Sequence, residues 1–310
     1  MLMKPEIGTD TLTPAALRAL SERQDRAGII RATTHWGSIL VLGFLIWRVS
    51  NAYGLLWAVP LMVAQGLLVA FLFCALHECT HKTAFRSKWM NVMVGYASGL
   101  AIAWPYEYYF VFHWAHHRHT QDPARDPELL GGRIPQSDTQ LAILFSGVSQ
   151  VYGRLLVLFR HGLAGHSKMP WVPASKQGLV AGEARAYLLI YAALIAGSVV
   201  LHSAVLLWVW LVPLFIGQLF LRPYLLAEHT GCSLSRSSFE NTRTTMASAL
   251  LRWLSWNMPY HVEHHAYPAV PFHALPRLHE SVAERIVYHG RSYPAVTRDV
   301  WAWLRKARGA

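Results

Sequence analysis

Between Arg31 and Arg48, from Val49 to His77, and again from Ala186 to Leu221, this chain carries no Asp, Glu, Lys or Arg. A bilayer core is crossed by about 20 predominantly apolar residues in a helix. As one helix the Ala186–Leu221 stretch would run about 54 Å at about 1.5 Å per residue, too long for one crossing and about right for two short ones. His202-Ser203 offers the turn between them, and Ser50-Asn51-Ala52-Tyr53-Gly54 offers one between the first two. The runs therefore predict an all-α integral membrane fold with four transmembrane helices, at about 33–49, 54–76, 186–201 and 204–222. Residues 1–32 are expected as a cytosolic N-terminal segment and 33–310 as one membrane domain, its cap formed by 77–185 and 223–310. The polar Met1–Arg31 stretch has no apolar core of a signal peptide.

Composition agrees. Charged residues make up 15% of the chain, below the roughly 25% of soluble domains, and aromatic residues 12%, which argues against disorder. Three cysteines are too few and odd in number for a disulfide scaffold. With four spans, all of the 28 lysines and arginines except Arg48 fall on one side, expected to be the cytoplasm, along with both termini. Arg48 can snorkel to the opposite interface. The formal charge of +11 thus has a topological cause. The basic residues are scattered and not striped with aromatics, so no nucleic-acid partner is expected. Trp89–Tyr106 is also uncharged but holds Asn91, Ser98 and Pro105; a re-entrant or interfacial course is expected there. Leu141–Phe159 and Met246–Trp256 mix apolar residues with Arg154 or Arg252 and are placed at the interface.

The 17 histidines are clustered. His77-Glu-Cys-Thr-His81 follows the second span, with its histidines one turn apart on one helical face. His113-Trp-Ala-His116-His117 and His261-Val-Glu-His264-His265 repeat an HxxHH pattern. There the first and second histidines are expected to share a face and the third to turn about 100° away, so one box can serve two adjacent metals. His229, at the end of the fourth span, matches the depth of the first box and is a further candidate ligand. Metal-free imidazoles in such numbers beside a membrane would be costly. Imidazoles without a carboxylate ligand suit transition metals. His119, Asp122, Asp126 and Glu263 are candidates for orienting the ligands from behind, although for the two Asp-Pro pairs plain turn chemistry serves equally. His35, His161, His166, His202, His273, His279 and His289 stand alone and read as surface or interfacial residues. Trp104, Tyr106, Tyr108, Tyr109 and Trp114 read as an aromatic belt or the wall of a substrate tunnel.

His77–His81 also fits H-E-x-x-H, the zinc protease signature. A hydrolytic zinc site with three protein ligands would leave both HxxHH boxes without a role. The whole arrangement resembles the membrane fatty acid desaturase superfamily, in box order, in spacing and in the two spans between the second and third boxes, from about residue 55 to 280. The string Asn257-Met-Pro-Tyr-His261-Val-Glu-His-His265-Ala-Tyr-Pro268 is similar to bacterial acyl-lipid desaturases, and carotenoid ketolases have a similar third box. The resemblance implies two non-haem irons held by His77, His81, His113, His116, His117, His229, His261, His264 and His265, and O2-dependent C–H oxidation of a fatty-acyl lipid in a cytosolic cap. Desaturation is the expected outcome, with lipid or carotenoid hydroxylation or ketolation as the alternative. Neither a fused haem domain nor a cysteine set for an iron–sulfur cluster is visible, so a separate ferredoxin-like or small haem donor is implied.

Overall fold

The computed structural model describes residues 12–130 and 135–308. The part of the N-terminal segment that falls on residues 1–11 lies outside the described residues. Helix α1 (Pro14–Leu20) starts behind Thr13, whose hydroxyl accepts from the Ala16 amide at 3.2 Å. Helix α2 (Asp25–Tyr53) then runs without a break across the predicted boundary at residue 33. Its outer face leaves Leu40, Val41, Phe44 and Trp47 uncovered, as a lipid-facing helix must.

Gly54, at φ +95°, is the whole turn into α3 (Leu55–Ala70). Only glycine takes that backbone without strain. The turn expected over residues 50–54 is thus shorter, because α2 stays helical to Tyr53. After a step at Phe71, α4 (Leu72–Thr80) completes a span from Leu55 to Thr80. The third span runs from Ala174 to Val200, mostly as α9 (Gln177–Val200). His202, at φ +46°, makes the turn expected there. The fourth span, Leu207–His229, opens with one π-helical turn and continues as α10 (Val212–His229). It passes the predicted end at residue 222 despite Pro223 and carries His229 on its last residue. Spans two and four touch through Gly66 and Gly217; a Cβ built on Gly217 would stand 2.0 Å from the Gly66 carbonyl oxygen. Small residues let helix backbones meet this closely inside a membrane.

Helix α5 (Lys88–Ala101) covers most of Trp89–Tyr106 and is not among the helices long and apolar enough to cross. Helix α6 (Tyr106–His119) leads back into the cap. Helices α7 (Asp138–Ser146) and α8 (Val148–Ala164) reach spanning length only jointly, and they are bent by 62° at Gly147. The rest is short elements: α11 (Ser238–Asn241), β1 (Arg243–Thr245), α12 (Ala249–Leu254), α13 (His261–Ala266), α14 (Leu275–Val282), β2 (Tyr288–Gly290) and α15 (Tyr293–Lys306). Strands β1 and β2 form a parallel pair, Arg243 opposite Tyr288, the one departure from an all-α architecture among the described residues. That pair seats Thr244 under α13, where its hydroxyl accepts from the Val262 amide.

Candidate metal centre

Four helices deliver the histidines. The end of α4 brings His77 and His81, α6 brings His113, His116 and His117, α10 brings His229, and α13 brings the third box. Ring nitrogens of His77, His81, His113, His117 and His264 lie within 4.8 Å of one another, and so do those of His116, His229 and His265. His261 adjoins the second group, with Nε2 at 3.1 Å from His229 Nε2. All of the histidines expected as ligands are therefore brought together.

The division inside each HxxHH box differs from expectation. His113 pairs with His117 and His261 stands with His265, while the middle histidine, His116 or His264, faces the other group. On a helix of about 3.6 residues per turn, position i+4 lies about 40° from i whereas i+3 lies about 60° away on the other side. The helical pitch thus selects the first and third members of the box for one centre.

The geometry fits a metal. His113 Nε2 approaches His81 Nε2 at 2.8 Å and His117 Nε2 at 3.0 Å, and His264 Nε2 approaches His117 Nε2 at 3.2 Å. Two imidazole nitrogens bound to one ion at about 2.1 Å and a right angle stand about 3.0 Å apart. Both ring nitrogens of buried His77 have no hydrogen-bond partner, nor do His81 Nδ1, His264 Nδ1 or His265 Nε2. A buried polar atom without a partner costs roughly 1–3 kcal/mol. Ligation through one nitrogen of His77 and through His265 Nε2 would remove that cost there, whereas His81 and His264 converge through Nε2 and keep Nδ1 unpaired. Burial, reinforced by the neighbouring imidazoles, pushes His81, His113, His117, His261, His264 and His265 well below the ordinary histidine value. They are held neutral, the form a metal requires.

The second group is fixed from behind. His116 Nδ1 donates to Asp126 Oδ1 at 2.9 Å and His229 Nδ1 donates to the Asn241 carbonyl at 3.2 Å. Each bond fixes the tautomer and leaves Nε2 as the free donor atom. Burial works against a charged His116, but Glu128 and Asp126 outweigh it and raise that imidazole. Burial likewise opposes the Asp126 charge, yet the bond from His116 and the Glu128 and Gln121 amides hold the carboxyl low. The Asn241 carbonyl, Glu128 (3.9 Å from His116 Nδ1) and Glu228 (3.6 Å from His261 Nδ1) went unread in the sequence. The available signal was acid residues next to histidine boxes in a chain with few acids.

The other candidates point elsewhere. Asp122 pairs with exposed Arg125 at 2.6 Å and caps the Ala124 amide, so turn chemistry is its role. His119 belongs to neither group. The two Glu263 oxygens are taken by His279 and by the Thr244 hydroxyl, so this buried carboxylate anchors α13 and does not orient a ligand. His279, read as a lone surface histidine, is its partner. Glu78 Oε1 accepts from the Thr83 hydroxyl and the Phe272 amide and belongs to neither histidine group, which leaves the protease reading without its base.

A cavity of about 10 Å³, the size of one water, lies between the groups, walled by His77 and His113, by His116 and His261, by Glu128 and Glu228, and by Phe73, Cys74, Tyr109 and Met258. Of the aromatic candidates Tyr109 lines it, stacked on His113 with ring centroids 5.2 Å apart. Trp104 packs behind Tyr109, Tyr106 donates to the Cys79 carbonyl, Tyr108 packs on His161, and Trp114 packs on His81 and His117.

The fatty acid desaturase family model matches residues 55–297. The chain is 27% identical to a sphingolipid delta(4)-desaturase of Drosophila melanogaster, over 69% of this chain and 62% of that one. It is 27% identical to a zeaxanthin 4-ketolase of Chlamydomonas reinhardtii, over 82% of this chain and 54% of that one. It is 25% identical to a fatty acid desaturase of Bacillus subtilis, over 84% of this chain and 78% of that one. The first two matches thus span less than two thirds of those relatives' lengths. A family match over most of the chain, on a four-span helical fold that gathers the three histidine boxes, places this chain in the fatty acid desaturase family.

Proposed function

We propose that the chain is a membrane-bound, O2-dependent lipid desaturase that holds two iron ions, one in each histidine group, in a cytoplasmic cap, with both termini on that side. The observation that carries this reading is the convergence of two imidazole groups on one small cavity. When bound, such a pair supplies O2 activation and removal of hydrogen from an unactivated methylene. The residues of the chain bind and orient. Buried neutral imidazoles supply the donor set, Asp126 and the Asn241 carbonyl fix His116 and His229, and Glu263 ties α13 to Thr244 and His279. Phe73, Tyr109 and Met258 close the cavity beside these histidines to about the volume of one water, which keeps bulk water from the metals. Electrons come from a separate ferredoxin-like or small haem protein. The family likeness to a carotenoid ketolase over 82% of the chain supports a second outcome, oxygen insertion. Expression with a reducing partner under labelled O2, followed by lipid analysis, separates the two. A new double bond without label is expected; label retained in the lipid assigns hydroxylation or ketolation, and unchanged lipids overturn both.

A further inference from the structure

The cavity uses one face of α6, through Tyr109, His113 and His116. The adjoining face, about 100° round the helix, carries Phe110, Trp114 and Arg118 in an i, i+4, i+8 stripe. Trp114 lies against two histidines of the first group, its ring 5.0 Å from His81 and 5.9 Å from His117 between centroids. Neither of those histidines lines the cavity, so Trp114 meets the first group from the side away from it. Outward, Phe110 follows at 6.5 Å. Lys82 Nζ stands 5.2 Å from the Phe110 ring centroid and Lys176 Nζ 5.7 Å from it. Lys82 and Arg118 are exposed, and Trp114 and Phe110 are half-buried. Lys176 is half-buried and paired with Glu107 at 3.5 Å, so Lys82 and Arg118 are the exposed cations here. An aromatic ring that touches two candidate ligands and reaches a surface rimmed by exposed cations has the shape of a conduit and not of a tunnel wall.

We propose that Trp114, with Phe110 outside it, is the port through which electrons reach the metal centre, and that Lys82 and Arg118 dock a small one-electron donor with an acidic surface. This rests on the reading of the chain as an oxidase fed by a separate protein. Each transfer removes one electron from the reduced donor and adds one to the metal centre, with Trp114 returned unchanged. Two dockings supply the two electrons that, with two protons, complete the reduction of O2 to water while the lipid is desaturated. Cationic rims speed encounter with an acidic partner and are screened by salt.

The probe is a reduced plant-type [2Fe–2S] ferredoxin, mixed without O2 with the iron-loaded full chain in detergent while its visible absorbance reports its oxidation. Trp114→Leu is expected to slow the transfer at least tenfold with iron content unchanged, and Trp114→Phe to keep most of the rate. Lys82→Glu with Arg118→Glu is expected to slow it about tenfold at low salt, and much less at high salt. The same pair weakens ferredoxin binding to the metal-free protein, which needs no turnover to read. Arg298→Gln, on exposed α15, leaves the transfer unchanged. The proposal is overturned if ferredoxin fails to reduce the parent protein, if fully loaded Trp114→Leu is reduced at the parental rate, or if the charge reversals change neither binding nor rate. Rapid electron uptake by a parent that makes no new double bond would instead fell the desaturase reading and leave the port standing.

Discussion

The two histidine groups differ in what stands behind them. The first, His77, His81, His113, His117 and His264, is backed by rings: Tyr109 stacks on His113 and Trp114 covers His81. Among the described residues no carboxylate hydrogen-bonds to any of its five imidazoles. The second, His116, His229 and His265 with His261 beside it, is bonded to Asp126 and the Asn241 carbonyl, with Glu128 and Glu228 beside it on the cavity wall. On the proposed reading one centre would rely on ligand number, the other on fewer ligands made more basic and more rigid by their hydrogen-bond partners. The two groups should then fail differently.

Removing a ligand is the largest test. His113→Ala is expected to cut bound iron to about half the parental content and to abolish turnover, because His113 Nε2 meets both His81 and His117. His229→Ala should do the same at the other centre while the membrane fold persists, and His202→Ala, at the far turn, should leave iron and turnover near normal. Iron analysis with Mössbauer spectra of the two residual sites checks this; identical residual spectra would show that the groups do not bind separate ions. Next comes Asp126→Asn, which keeps the shape and removes the charge behind His116. Loss of such a partner costs roughly 10–100-fold in metal affinity. Competition with a chelator should show one of two irons released more easily; equal weakening of both would erase the distinction drawn above.

Acid should separate the groups in the metal-free protein. His81, His113, His117 and His264 are held well below the ordinary value of 6.5, so below that pH the unfolded chain binds more protons than the folded one and stability falls. His116 is raised, so its contribution is fully present in acid and fades as pH climbs through its folded value. Thermal melts between about pH 8 and 5.5 should therefore fall on acidification, less steeply in His264→Ala and more steeply in His116→Ala. Parallel curves for the two variants would refute the assignment.

The four spans and the histidine boxes that the fold gathers were legible because both are local signals. A missing charge over about 20 residues and an i, i+4 repeat need no knowledge of distant chain. The helix ends were less legible: α2 and α10 run on past the apolar windows, since a helix does not stop where the membrane does. The groups behind the ligands were largely hidden. Glu228 and the Asn241 carbonyl reach their histidines only after the chain folds back, and Glu263 sits inside a box yet turns to His279 and Thr244. In the sequence Asp126 reads the same as Asp122, with turn chemistry serving equally for both, and only the folded loop after α6 separates them.

The smallest effect tests whether α13 is held equally for both groups. Its short helix sends His264 to the first group and His265 to the second, so any slack in it should reach both. Thr244 holds it twice, donating to Glu263 Oε2 at 2.5 Å and accepting from the Val262 amide at 3.2 Å. Thr244→Val keeps the shape, and β-branching still suits β1. It leaves a fully buried carboxylate with one partner fewer, at a cost of about 1–3 kcal/mol. A melting temperature lower by a few degrees is expected, with both irons retained and their chelator release hastened to the same degree. Hastened release from one centre alone would mean that α13 is not held equally for the two groups.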